Sequence, residues 1–407
     1  MTATWATSTV GDQFDVQLGK MLDSSKNAGV PKPYLGNRAV QWGRIDVSAC
    51  GVVPMSRSDL QRYRLRDGDL LVCEGGDVGR GAIWRNELPE CYYQKALHRL
   101  RAKNGYDARL MLALLAHWSS TGAFADFVTQ TSIAHLPREK FVQMPLPLPS
   151  KAEQRRIGDV LQDADSLIAT LERLITKKQA IKQGMMQQLL TGRTRLPGYT
   201  EDWPSVTLGG SGVVAGGGVD KTSSPTEASV LLLNYMDVYR MEFIDHQAVT
   251  QVVTAPSPKI AKCSIRAGDI FFTPTSETPD DIARFAVADD DLPGVVYSYH
   301  LVRWRPGPGW DRSYLAYAFS TNAFRSQAST LAAGSGTRYV VSMPGFRSLV
   351  VPQPPVDEQR AIGEALRDAS SEINVLFRRL AKARAIKQGM MQQLLTGRTR
   401  LHSEVSS

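Results

Sequence analysis

The chain has 407 residues, 43% hydrophobic and 22% charged, with a net charge of +8. That length supports several domains with real cores, and no apolar stretch reaches the ~18 residues that a membrane span requires. Residues 1–150, 151–199 and 356–407 carry net charges of +4, +4 and +3, whereas residues 200–355 carry −3. A basic balance favours a polyanionic partner, and in the acidic segment such a contact has to rest on local placement of charge.

The chain starts MTATWATSTVGDQ, which lacks the basic start and apolar core of a secretory leader. The four cysteines, Cys50, Cys73, Cys91 and Cys263, form no C-x-x-C pair, and together these features point to a reducing cytoplasm. Residues 1–150 read as an α/β-like domain. Trp5 precedes a Val10-Gly11 turn, an extended stretch PYLGNRAVQWGRIDV follows, then a hairpin signal LRDGDLLV with Asp67-Gly68 at its turn, then a helical run around Ala108–Trp118. Residues 200–355 repeat that layout with Trp203, Leu208-Gly209, VLLLNYMDVYRMEFID, IRAGDIFF with Ala267-Gly268, and a helical run around Ser313–Phe324.

Between and after these domains the chain repeats itself. Residues 180–196 and 385–401 both read AIKQGMMQQLLTGRTRL, and at the same spacing Glu153-Gln154-Arg155 recurs as Glu358-Gln359-Arg360 and Ile157-Gly158 as Ile362-Gly363. A period of half the chain means two large tandem units and approximate twofold symmetry, not a solenoid. The repeated regions are helical: no proline falls between Glu153 and Leu190, and apolar residues recur at Ile157, Leu161, Ala164, Ile168, Leu171 and Ile175. The second copy has Ile362, Leu366, Ala369, Ile373, Leu376 and Leu380. This 4-3 spacing is a coiled-coil seam. Pro-rich lead-ins, PLPLPS and PQPP, precede both helices, and Gly192 and Gly397 stop them. At 1.5 Å per residue, about 38 residues make a rod of roughly 57 Å. Each stripe has to be covered, either by its own globular domain or by the other copy; twofold symmetry requires the second arrangement to be antiparallel. The expected fold is therefore α+β, with domains at 1–150 and 200–355, a central helix region at 151–199, a C-terminal one at 356–407, and an intramolecular antiparallel coiled coil.

Catalytic patterns are missing. The only Pro-Pro, Pro354-Pro355, sits in a linker rather than in a methyltransferase tetrad, and no Asp or Glu has Lys two positions on, as a common nuclease pattern demands. GGGVDKT at 216–222 has Asp220 where a phosphate loop needs glycine. The six histidines form no ligand pair. No metal, no cofactor and no catalysis by the chain alone are expected.

The segment IKQGMMQQLLTGRTRL, with its Pro-rich lead-in and Glu-Gln-Arg-x-Ile-Gly, occurring twice, resembles the specificity subunit of type I restriction-modification systems (HsdS). The resemblance covers the whole chain as target-recognition domain, helix, target-recognition domain, helix. It implies a non-catalytic subunit that binds double-stranded DNA, each domain reading half of a split asymmetric target, with the antiparallel coil spacing the domains. It also implies two methylation (HsdM) subunits docked on this frame, and restriction (HsdR) subunits joining in the full complex. A coiled-coil scaffold that binds proteins is the alternative. Affinity would come from phosphate contacts and specificity from base edges. Arg193, Arg195, Arg398 and Arg400 at the rod ends suit either phosphate or helix-end capping. Loop residues able to enter a groove are Arg57, Arg80 in EGGDVGR, Thr131 and Ser132 in the first domain. In the second they are Thr275, Ser276, Arg284, and Thr337 and Arg338 in GSGTR. Thr131-Ser132 and Gly336-Thr337 fall at the 205-residue offset.

Overall fold

A computed structural model describes residues 5–23, 27–130 and 134–401. It is an α+β fold of two compact units, Met1–Glu172 with Arg378–Ser407, and Arg173–Phe377. Two 39-residue helices, Lys151–Leu189 and Val356–Leu394, each contribute to both units.

The first unit centres on an antiparallel sheet in the order Phe14–Leu18, Leu97–Ala102, Leu70–Cys73, Gly81–Ile83. A second sheet pairs Val30–Leu35 antiparallel with Gly51–Met55 and parallel with Tyr92–Tyr93. Ala6–Thr9 pairs with Pro145–Leu148, so the domain's first strand is tied to its last just before the long helix begins. The second unit repeats this plan. Its sheet runs Gly212–Ala215, Val302–Pro306, Ile270–Phe272, Phe285–Val287. Ala228–Leu233 pairs antiparallel with Val252–Ala255 and parallel with Leu292–Tyr297, and Ser205–Thr207 closes on Val350–Pro352.

The repeat extends to buried charge. Asp69 and Asp269, both 1% exposed, each bind one arginine of the neighbouring strand through two oxygens, Arg101 at 2.7 Å and Arg305 at 2.6 Å. Each also accepts a backbone N–H, from Arg66 at 2.8 Å and Arg266 at 2.9 Å, which closes the Gly68 and Gly268 turns. Removing either arginine would leave a buried carboxylate unpaired, at a cost of about 3–5 kcal/mol. The turns expected at these glycines are therefore present, but they are not hairpins. Ser264–Ile265 and Ile270–Phe272 join different sheets, because each flanking strand pairs with a later one.

Two other local expectations differ. VLLLNYMDVYRMEFID is strand only through Leu233; Tyr235–Arg240 is helix, started where the Asp237 carboxylate accepts the Asn234 N–H at 2.8 Å. The run after Ser313 is two helices, Arg312–Ala318 and Asn322–Leu331, because Thr321 caps the second at Phe324 N. Its counterpart Ala108–Thr121 is continuous.

Inside each unit the long helices run antiparallel. In the first, Asp165 meets Lys387, Glu172 meets Arg384 at 2.6 Å, and Arg156 donates to the Leu401 carbonyl at 3.0 Å. In the second, Lys178 meets Glu372 and Arg195 meets Glu358. The exposed pairs contribute little free energy and serve here to fix direction. Each globular core takes the start of one long helix and the end of the other. Ile157, Leu161, Leu394 and Leu395 join Phe14, Leu114 and Phe141 in the first unit. Ile362, Leu366, Leu189 and Leu190 join Phe272, Trp304 and Phe346 in the second. Full burial of each such side chain is worth about 1.5–3 kcal/mol. Of the other seam positions, Leu171, Ile175, Ile373, Leu376 and Leu380 are buried, and Ala164, Ile168 and Ala369 are half-buried.

His98 is fully buried in the first sheet, with Nε2 2.9 Å from the Leu136 carbonyl, and burial pushes its pKa down to about 4. Val302 holds the corresponding strand position in the second unit. The folded protein keeps His98 neutral while the unfolded chain protonates near pH 6.5, so stability present above pH 6.5 is lost as pH falls towards 4, by on the order of 3 kcal/mol. We expect His98→Val to cost stability at pH 7 and to narrow or reverse that deficit at pH 4.5, measured as urea midpoints at both pH values.

Candidate nucleic-acid interface

Two loops occupy the same place in the two central sheets. One joins Leu70–Cys73 to Gly81–Ile83, the other Ile270–Phe272 to Phe285–Val287. They end in Asp77-Val78-Gly79-Arg80 and Asp281-Ile282-Ala283-Arg284. In each, aspartate and arginine form an ion pair, at 3.6 Å in the first and 2.7 Å in the second. In each, the residue before the arginine is left-handed, Gly79 with φ 83° and Ala283 with φ 55°. A left-handed residue turns the chain sharply enough to hold the arginine at the loop's closing edge. Glycine does this freely, whereas alanine is strained by about 1–2 kcal/mol. Strain of this kind clusters where a site needs it.

The arginines are positioned differently. Arg80 is half-buried and donates from Nη2 to the Asn37 carbonyl at 3.1 Å. Arg284 lies 5.6 Å from the Tyr239 ring centroid, and the Tyr239 hydroxyl donates to Asp281 at 2.9 Å. The Asp281 bond pushes the Tyr239 pKa up, so this phenol stays protonated and remains a donor. Tyr235 stacks on Tyr239 with centroids 6.2 Å apart.

The second unit draws its sequence candidates into one neighbourhood. Thr275–Ser276 is a strand paired with Arg338–Val340, which forms a hairpin with Ala333–Ser335 and has Thr337 exposed in its turn. Arg284 N donates to Thr273 Oγ1 at 3.0 Å, linking the Asp-x-x-Arg loop to the same strand end. Thr275, Ser276, Arg284, Thr337 and Arg338 thus frame one loop cluster, and Arg338 is exposed. In the first unit, the matching bridge joins Gly75 to His135, beside the pair Thr129–Gln130 and Ala134–His135. Thr131 and Ser132 lie outside the described residues. Arg57 is exposed in the first turn of the helix Arg57–Arg62, capped by Ser56, and no hydrogen bond joins it to the Arg80 loop among the described residues.

The four arginines at the helix ends divide into two kinds. Arg400 binds both oxygens of Glu153 at 2.7 and 2.9 Å and packs over Trp5, whose Nε1 donates to the same carboxylate at 3.1 Å. Arg195 binds Glu358 at 2.6 Å through both Nε and Nη2 and packs over Trp203, whose Nε1 donates at 2.8 Å. These two are committed to the fold. The Arg400 bond holds the Glu153 carboxyl below the usual range. Arg193 and Arg398 are exposed and have no polar partner among the described residues.

Sequence reasoning missed the alignment of Arg80 with Arg284, together with Tyr239 and Arg325. The signal for the first was present as DVGR and DIAR, one residue off the 205-residue period. The aromatic and Arg325 contacts come from segments far apart in sequence. Among the described residues, no His, Cys, Asp and Glu side chains gather to hold a metal ion, and no helix is long and apolar enough to cross a membrane.

The fold and loops define a duplicated α+β protein with one loop cluster and one antiparallel helix pair in each unit. Residues 2–183 match the model of the type I restriction modification DNA specificity domain. The type I restriction enzyme MjaVIII specificity subunit of Methanocaldococcus jannaschii is 25% identical over 281 residues, 67% of this chain and 66% of that protein. The crystal structure of the type I restriction-modification system S subunit from M. genitalium matches with a TM-score of 0.60 at 13% identity, over 96% of both chains. The HsdS subunit from Thermoanaerobacter tengcongensis matches with a TM-score of 0.50 at 17% identity, over 97% of both. The family match covers less than half of the chain, and the solved structures share its fold.

The two left-handed loop residues give opposite expectations for stability. Ala283→Gly should stabilise the protein by roughly 1 kcal/mol by relieving backbone strain. Gly79→Ala should destabilise it by about 1–3 kcal/mol, because a Cβ there would lie 2.4 Å from the Phe124 ring. Thermal unfolding of the full chain reads both; a lower melting temperature for Ala283→Gly contradicts the strain.

Proposed function

We propose that this chain is the DNA-reading, non-catalytic subunit of a type I restriction-modification complex. Residues 1–150 and 200–355 act as two target-recognition domains, each reading one half of a bipartite asymmetric sequence. The helical regions 151–199 and 356–407 space the domains and dock two methylation subunits, through which restriction subunits join. Phosphate contacts from lysine and arginine supply affinity, and the loops around Arg57, Arg80, Thr131 and Ser132, and around Thr275, Ser276, Arg284, Thr337 and Arg338, read bases.

One observation carries this reading: the internal repeat is identical over residues 180–196 and 385–401, exposed positions included, and different where side chains line the loops. Ile181, Gln183, Gly184 and Gln187 are exposed and recur as Ile386, Gln388, Gly389 and Gln392, also exposed. Exposed positions drift unless something contacts them, so two equal faces suit two copies of one partner. The loops keep their backbone turn and their Asp–Arg pair but exchange their other residues, which suits two readers of different bases. Gly184 and Gly389 sharpen the point. Glycine inside a helix costs about 1 kcal/mol relative to alanine, and an added Cβ at either would meet nothing within 4 Å in this chain. Close approach of a docked partner accounts for both.

Two outcomes test the reading. Replacing residues 1–150 with a relative's first domain should change one half of the methylated sequence in a host expressing the complete system, and leave the other half intact. Methylome sequencing that shows both halves changing, or no change, contradicts the division of labour. Gly184→Leu combined with Gly389→Leu should leave the chain's melting temperature equal or higher, yet weaken recovery of the methylation subunits by at least tenfold in sedimentation assays. Undiminished assembly would place the docking surface elsewhere.

A further inference from the structure

The second unit contains a cavity of about 210 Å³ whose lining includes Tyr239, Arg240, Arg284, Phe285, Phe319 and Arg325. Its acidic groups are already engaged. Asp281 accepts from Arg284 Nε at 2.8 Å and from the Tyr239 hydroxyl at 2.9 Å. Asp280 accepts from the Ser329 hydroxyl at 3.1 Å, and Glu242 pairs with Lys182 at 2.8 Å. Arg240 and Arg325 have no ion-pair partner among the described residues. Arg325 belongs to the ten-residue helix Asn322–Leu331, just beyond its Thr321 cap, where the helix presents its positive end. Its pKa is pushed below the ordinary range, first by partial burial and then by the charge of Arg284. An anion bound between the two guanidinium groups would relieve that repulsion, and their planar donor forks match the oxygens of a phosphate.

The first unit differs at this point. It keeps the Asp77–Arg80 counterpart of Asp281–Arg284, but at the 205-residue offset Ser120 stands opposite Arg325. The added cation sits in the segment whose overall charge is negative, 200–355, where a polyanion gains least from the general field.

We propose that this cavity is a phosphate-ester site in the second unit, with Arg325 and Arg284 as its ligands and Arg240 at its rim. The phosphate is carried either by the DNA backbone or by a free nucleotide. The first source rests on the DNA-reading function proposed above; the second does not. Two measurements on the full chain separate them. In the first, binding to random duplex DNA is followed by fluorescence anisotropy at several KCl concentrations for the wild type, Arg325→Ala and Arg325→Lys. Loss of one phosphate contact should reduce the slope of log K against log salt by about 0.9. The expected result is a reduced slope for Arg325→Ala and a wild-type slope for Arg325→Lys. In the second, AMP and inorganic phosphate are titrated calorimetrically. Binding that Arg325→Ala abolishes, with the DNA slope unchanged, retains the site and assigns its ligand to a free nucleotide. An unchanged slope with no AMP or phosphate binding by the wild type overturns the proposal. If the wild type binds no duplex DNA at all, the DNA-reading function fails. The titration alone then decides the site: AMP binding lost in Arg325→Ala supports it, and absence of binding overturns it.

Discussion

A carboxylate removed from solvent must be neutralised where it stands, and Glu153 and Glu358 impose that requirement at the first turns of the two long helices. Glu358 is wholly buried and Glu153 is 3% exposed. Each is satisfied by three donors from two directions: a tryptophan just before the strand that opens a domain, and an arginine that follows the end of the opposite helix. The neighbouring glutamine completes the junction. Gln154 accepts the Asp107 N–H at 3.0 Å and Gln359 the Asp311 N–H at 2.9 Å, fixing the first turn of each domain's own helix against the long one. The glycine stops obey the same constraint. Gly192 and Gly397 are left-handed, with φ 68° and 70°, and a Cβ on either would press on Trp203 or Trp5 at 3.4 Å. Sheet, helix pair and chain reversal thus meet at one buried charge in each unit.

The long helices were legible in the sequence because their signals are local and cumulative: a proline-free run, a 4-3 apolar spacing, Pro before and Gly after. The duplication was legible because identity needs no structural interpretation, and it led to the α+β fold and to the resemblance that the match over residues 2–183 supports. What the repeated Glu-Gln-Arg does was not legible, since the partners of its glutamates lie 148 to 247 residues away and no spacing rule connects them. The same holds for the hairpin signals at Gly68 and Gly268. The turns form, but strand partners are chosen by Asp69–Arg101 and Asp269–Arg305 pairing across the sheet, which propensity does not encode. Thr321 interrupted an expected helix with a single hydroxyl. In the loops, Tyr239 and Arg325 meet Arg284 only through tertiary packing.

The two units diverge in an orderly way. Positions that neutralise buried charge are the same in both: Asp69 and Asp269, Arg101 and Arg305, Glu153 and Glu358. Neighbouring core positions differ between the units, as His98 against Val302 and Leu100 against Trp304. In the loops the backbone turn is kept while its means changes, Gly79 giving way to a strained Ala283. Selection on geometry and selection on chemistry are separable here, because the duplicated chain provides its own internal comparison.

The junction at Glu153 brings together the two extremities of the described chain. Trp5 and Arg400 lie within 5.3 Å of each other, ring centroid to guanidinium carbon, and at Glu358 the equivalent Trp203 and Arg195 are joined by a short stretch of continuous backbone. The same tryptophan–arginine contact is thus made by residues close in sequence at Glu358 and by residues far apart in sequence at Glu153. Continuity of the backbone between Arg195 and Trp203 is therefore dispensable for this junction, since Glu153 obtains the same three donors from segments that no short stretch of chain connects.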